Sequence, residues 1–184
     1  MKQSQKTNPL RFDRVPPQDV DAERALLGAM IYGPDGTKEN IKLAIQIGVI
    51  PEIFYKASHQ SICTAIYSVY EKNIGVDLLT VVKELGAMGQ LDKVDVGYLD
   101  EMIDSTPNSA NLQYYANIVQ EEALRRAIIQ RSIALYDGAF DSTSEVAYLI
   151  KQHQESLSNI NELYKQNGNN KYGYTAKEIE YLDL

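Results

Sequence analysis

Residues 109–140 read SANLQYYANIVQEEALRRAIIQRSIALYDGAF, with no proline and a single glycine, Gly138. So long a run without a breaker predicts one helix of roughly 30 residues, about 45 Å long at ~1.5 Å per residue. Asp141-Ser142-Thr143-Ser144 follows as a turn with capping chemistry. A second long helix is expected from about Glu145 to Gln166. In it Val146, Ile150, His153, Leu157, Ile160 and Tyr164 are spaced 4, 3, 4, 3 and 4 apart, a heptad seam. Two long helices joined by a short turn make an antiparallel hairpin. The first is apolar on two sides, with Ile129, Ile133, Tyr136 and Phe140 as one stripe and Leu124, Ile128 and Leu135 as its neighbour. A sister helix covers one stripe. The other must meet either the globular part of the chain or a second copy, and the thinness of a two-helix hairpin favours the copy.

Upstream the pattern is of short helices and frequent breakers. Residues 1–15 lack periodicity and are expected to be a disordered arm. Pro16-Pro17 sets an extended entry, and Asp19 stands as the N-cap of a first helix carrying Val20, Glu23, Leu26, Leu27, Met30 and Ile31 at steps of three and four. Gly33-Pro34-Asp35-Gly36 is turn chemistry. Further helices are expected over 37–48, 58–72, 78–88 and 98–103, the third with Ile62, Ala65, Ile66, Val69 and Tyr70 facing in. Leu79, Val82, Leu85 and Met88 are the expected buried edge of the fourth. No run of strand alternation occurs. The expected fold class is therefore all-α: a compact globular head of about five short helices (16–108), then the hairpin (109–167). Residues 168–184 read as a linker with a short helix from about Thr175, presenting Ile179, Leu182 and Leu184.

Composition bounds the function. The chain has 184 residues, 44% of them hydrophobic and 23% charged, with one cysteine, Cys63, and a net charge of −7. It has no apolar run of the ~18 residues a membrane span needs and no secretory leader, so a cytoplasmic protein is expected. From Asp77 to Glu122 nine acids face only Lys83 and Lys93. That reads as a solvated face or as a docking surface for a basic protein, and it opposes strong direct nucleic-acid binding. The only net basic stretch is the N-terminal arm, with Lys2, Lys6, Arg11 and Arg14 against Asp13.

Catalytic chemistry is missing from the chain. It has no GxxxxGK[ST] phosphate loop, no GxGxxG, no GxSxG and no HExxH. His59 and Cys63 share a helix face at i, i+4, but without a second pair of soft ligands they read as packing rather than metal binding. Asp100 and Asp104 read as solvated carboxylates. No catalytic residue, cofactor site or metal is expected.

The order of short motifs is informative in its own right. Pro16, Pro17, Gln18, Ala22, Glu23, Leu27 and Gly28 come first, then Phe54, Tyr55 and His59, then Val76, Asp77, Leu78 and Val81. Tyr98 and Leu99 follow, and then Pro107, Asn111, Tyr115, Ala116, Val119, Arg125 and Arg126. This series resembles the N-terminal domain of bacterial and phage replicative DNA helicases over about residues 15–165. It departs where paired glycines are expected before Tyr98 and Asp95-Val96-Gly97 stand instead. The resemblance implies a helical head and hairpin that self-associates, as a dimer or as a trimer of dimers in a hexamer, and that receives primase or a helicase loader. ATP and magnesium belong to the motor domain of that family, which lies beyond a linker and is not matched here. The implied self-association residues are Leu124, Ile128, Ile129, Ile133, Leu135, Tyr136, Phe140, Leu157, Ile160 and Tyr164; the implied primase contacts are Asp21, Tyr98, Ile129 and Leu135. The alternative is a stand-alone regulator (loader, adaptor or decoy) that binds such a helicase through the same hairpin.

Overall fold

Asp19 accepts a hydrogen bond from the Ala22 amide at 2.9 Å and starts α1 (Val20–Ile31). The computed structural model describes residues 14–31, 37–106 and 111–169, with residue 37 and residues 159–169 as backbone only. After α1 come α2 (Thr37–Gln46), α3 (Ala57–Glu71), α4 (Leu78–Ala87), α5 (Val96–Asp104), α6 (Leu112–Phe140) and α7 (Val146–Asn169), with short 3-10 turns at Pro51–Ile53 and Leu91–Lys93. Among the described residues there is no strand, so the all-α expectation holds. The expected arm over 1–13, the turn over 33–36, the Pro107-Asn108 turn and the segment from 170 onward, with Ile179, Leu182 and Leu184, lie outside the described residues.

Local chemistry explains where the elements begin and end. Asp77 and Thr80 form a reciprocal capping box at α4, and Asp95 accepts from the Gly97 amide to cap α5. That second cap starts α5 two residues earlier than the apolar pattern suggests. Three helices end on a left-handed residue: Gly48 after α2, Asn73 after α3 and Gly89 after α4. In each case the next amide bonds back across the helix end, Val49 to Ala44, Ile74 to Val69 and Gln90 to Leu85. The hairpin turn is held by Asp141, which accepts from the Thr143 amide at 2.9 Å, the Thr143 hydroxyl at 2.6 Å and the Ser144 hydroxyl at 3.0 Å. These bonds, the Thr143 hydroxyl foremost, hold the Asp141 carboxyl below its ordinary pKa.

α1 is the hub of the head and packs on α2, α3, α5 and α6. Leu26, Leu27, Ala29 and Met30 are fully buried there. The crossing with α5 is unusually close: a Cβ built on Gly28 would stand 1.9 Å from Thr106 Oγ1 and 2.8 Å from the Met102 carbonyl oxygen. Substituting Gly28→Ala is therefore expected to cost about 1–3 kcal/mol, because a backbone carbonyl has to move. A urea melt should show a lower midpoint with an unchanged slope; an unchanged midpoint would mean the helices separate freely.

Two packing expectations are corrected. In α4 the buried residues are Val81 and Leu85, whereas Leu79 is 61% exposed. Five apolar or neutral residues in a row, Leu78 to Val82, let the helix turn either way, and α3 selects the Val81 side. In α7 the heptad positions Val146, Ile150 and Leu157 are exposed, whereas His153 of the same heptad lines the cleft against α6 as expected, together with Leu149 from outside the seam. There Leu149 sits on Gly138, with the Cβ position of Gly138 only 2.8 Å from Leu149 Cδ2. The glycine draws α7 toward α6 through a neighbouring stripe and leaves Val146, Ile150 and Leu157 of the seam outside.

α6 itself is divided. Its first half (Leu112, Ala116, Val119, Ala123, Leu124, Ala127) is buried in the head core. Beyond Ala127 it leaves the core and runs beside α7, with an open groove between its Ile129, Ile133 and Tyr136 and the head. Cover by the globular part of the chain, one of the two expected alternatives, thus holds for the first half of the helix, while Ile128, Ile129, Tyr136 and Phe140 of the second half stay exposed.

Candidate functional site

The charged and polar groups inside the head come first, since they are where chemistry would be housed. Glu23 and His59 are both buried, and the Glu23 carboxylate lies 2.6 Å from His59 Nδ1. The other ring nitrogen, Nε2, lies 2.7 Å from the Tyr98 hydroxyl. An ionised carboxylate only accepts, so Nδ1 donates to Glu23, and with one proton on the ring Nε2 then accepts from the Tyr98 hydroxyl. Glu23 also accepts from the Tyr55 amide at 2.6 Å. One carboxylate thus ties α1 to the start of α3 and, through His59, to α5. The guanidinium of Arg24 and the ammonium of Lys56 lie 5.2 and 5.5 Å from the centre of the Tyr98 ring. Partial burial raises the Tyr98 pKa, Arg24 draws it down, and the charges of Glu23 and Asp21 add to the rise.

A carboxylate–imidazole–hydroxyl series resembles a proton relay, yet its surroundings make it a brace. His59 is wholly enclosed, and it lines neither the cleft between α6 and α7 nor the groove between Tyr55 and Tyr136. Neither nitrogen of His59 is left for Cys63. Burial pushes the Cys63 thiol far above its ordinary pKa, with the Glu52 charge adding to it, so no thiolate is offered. Among the described residues no group of three His, Cys, Asp or Glu side chains could hold a metal.

A second buried charge joins head to hairpin. Arg126 donates to the Pro17 carbonyl at 2.9 Å and to the Ile53 carbonyl. Its burial draws its pKa down, opposed by the charges of Glu23 and Glu122. Gln120 donates to the Ile47 carbonyl at 2.6 Å. The motif residues Pro17, Glu23, Gly28, His59, Asp77, Tyr98 and Arg126 are therefore all occupied in fixing the head.

The acidic stretch is less free than its charge count implies. Asp77 and Asp95 cap helices, Glu84 pairs with Lys72 at 2.6 Å, and Glu121 and Glu122 pair with Arg125. The Lys72 ammonium and the Ser68 hydroxyl lower the Glu84 pKa. Asp92, Asp100, Glu101 and Asp104 remain as exposed acids.

What stands out on the surface is apolar. Along the projecting hairpin, Ile128, Ile129 and Tyr136 are each 44% exposed, Phe140 75%, Val146 68% and Ile150 52%. Where hairpin meets head, a groove of about 880 Å³ runs between Pro16-Pro17, Phe54-Tyr55 and Ile129, Ile133 and Tyr136. The groove is not legible in the sequence; its signal is the proline pair, which reads there as a helix entry and as the start of the motif series.

Of the ten residues expected in a self-association face, Ile128, Ile129, Tyr136, Phe140 and Leu157 are exposed and Ile133 is half-buried in the groove. Leu124 is a correction: it is 6% exposed and belongs to the head's own core. Leu135 is half-buried in the α6–α7 cleft. Ile160 and Tyr164 lie in α7, in its backbone-only part. The four expected primase contacts do not form one patch. Asp21 and Tyr98 lie near each other on the head, but Ile129 and Leu135, six positions apart, point roughly 120° apart around α6 at ~3.6 residues per turn.

Comparison with known proteins agrees with this architecture. The family profile described as "DnaB-like helicase N terminal domain" matches residues 15–121. The replicative DNA helicase DnaB of Geobacillus stearothermophilus is 33% identical over 151 residues, which are 82% of this chain and 32% of that protein. DnaB of Rhodothermus marinus is 36% identical over 172 residues, 92% of this chain and 18% of that protein. The crystal structure of the N-terminal domain of DnaB helicase from Mycobacterium tuberculosis superposes with a TM-score of 0.71 at 30% identity, covering 79% of this chain and 99% of that one. The chain thus spans about a third or less of the length of the helicases it matches. With a match over more than half of its residues, and with Glu23, Gly28, His59 and Tyr98 locking one helical head, the protein belongs to the DnaB-like helicase N-terminal domain family.

Proposed function

We propose that this chain is a self-associating scaffold of a replicative DNA helicase, which pairs through its hairpin and receives primase or a loader. The observation that carries the reading is the apolar surface of the hairpin, exposed on α6 and α7 alike. Soluble chains seldom leave such a face to water. The self-association surface consists of Ile128, Ile129, Ile133, Tyr136 and Phe140 on α6 with Val146, Ile150 and Leu157 on α7. Isologous pairing would lay the same stripe of two copies against each other. Asp21 with Tyr98 on the head, and Ile129 and Leu135 on the hairpin, are the proposed primase contacts. The reading assigns no catalysis to this chain; ATP and magnesium belong to the motor of the resembled helicases.

Sedimentation equilibrium at micromolar concentrations tests the assembly. A dimer, or a dimer that associates further toward a hexamer, is expected. A strict monomer would sink self-association and leave the hairpin for a different protein, the regulator reading.

A further inference from the structure

The groove between head and hairpin is apolar and open, and the sequence next to it offers an occupant. Arg14, Val15, Pro16 and Pro17 line one wall, so the first described residue, Arg14, stands at the groove itself. The stretch next to that wall is Pro9-Leu10-Arg11-Phe12-Asp13, and Leu10 and Phe12 are the bulky apolar residues that follow the polar run Lys2 to Asn8. At ~3.5 Å per extended residue, Phe12 lies within about 7 Å of Arg14 and Leu10 within about 14 Å. Both reach the groove without a loop.

The chemistry matches on both sides. The far walls are Phe54, Tyr55, Ile129, Ile133 and Tyr136, apolar and in part open to water. Glu52, an exposed acid that lines the groove, offers a charge partner to Arg11, which stands between Leu10 and Phe12 in the sequence. Pro9, Pro16 and Pro17 restrict the unfolded arm, which lowers the entropy lost on docking. We propose that Leu10–Asp13 forms a strap that lies in this groove with Phe12 as its anchor. Because the strap covers Ile129 and Tyr136, it competes with a second copy for the same face. That consequence rests on the proposed self-association, whereas groove occupancy does not.

The chain contains no tryptophan, so Phe12→Trp places a sole indole reporter in the full-length protein. At concentrations where the chain is monomeric, its emission is expected to be blue-shifted and several-fold protected from acrylamide. Adding Ile129→Asp, at an exposed position that does not threaten the fold, should return it to the red and to full quenching. Red emission from the start would overturn the strap. So would blue emission that Ile129→Asp leaves alone, or that develops only as concentration rises, which would seat the arm on a second copy. Separately, deletion of residues 1–13 should tighten self-association several-fold. Unchanged or weaker association would overturn the competition while leaving groove occupancy to the fluorescence.

Discussion

Replacing Glu23 by alanine is expected to remove about 3–5 kcal/mol of stability, a large share of the ~5–15 kcal/mol that holds a typical domain together. The carboxylate accepts from the Tyr55 amide and from His59 Nδ1, both inside the head. Each donor left without a partner costs about 1–3 kcal/mol, and the vacated volume adds to it. Loss also spreads, because His59 no longer holds a fixed orientation toward Tyr98. Glu23→Gln should be milder, about 1–2 kcal/mol, since its amide oxygen still accepts from Tyr55. Its amide nitrogen would face His59 Nδ1 and force the other tautomer, in which Nε2 donates to Tyr98. Urea melts of both variants, with the histidine tautomer read by nitrogen NMR, check the scheme. A loss below about 1 kcal/mol for Glu23→Ala would mean that water reaches the network.

The same residues show what a sequence can disclose. Asp19, Gly48, Asp77 and Gly89 act within a few positions of themselves, so their caps and stops are written locally, and most helix limits fell within two or three residues of expectation. Glu23 meets His59 across 36 positions and His59 meets Tyr98 across 39. Periodicity placed Glu23 on the inward stripe of α1, yet nothing local named its partner. The short-motif resemblance brought the three residues onto one page without saying that they touch. Gly28 was legible only as a motif letter, because its role is a close approach to Thr106 and Met102 on another helix.

Orientation of the hairpin was the least legible feature, for a physical reason. α6 carries apolar residues around much of its circumference, since its first half lies in a core and its second half does not. A stripe drawn through the whole helix therefore joins Leu124, which faces the head, to Ile128, which faces water. On α7 a strict heptad marks Val146, Ile150 and Leu157, but Gly138 of α6 accepts Leu149 instead. The exposed seam suits an assembled molecule better than an isolated chain, and the proposed pairing of two hairpins would supply the contacts that a single chain leaves unmade.

That argument gives the second large effect. The double substitution Ile129→Asp and Ile133→Asp should weaken self-association by at least about 100-fold, ~2.8 kcal/mol, because pairing would bury two uncompensated carboxylates. Helical content and the urea midpoint of the monomer should hardly change, as Ile129 is 44% exposed and Ile133 half-buried in an open groove. Leu124→Asp makes the opposite contrast. Leu124 is 6% exposed within the head, so a charge there should destabilise the chain itself by several kcal/mol. Sedimentation equilibrium beside urea melts separates the two outcomes. If the double variant assembles like the parent, pairing uses another face, and α7 with Val146 and Ile150 becomes the surface to substitute next. If Leu124→Asp stays folded and only fails to assemble, the division of α6 into a core half and an interface half is wrong.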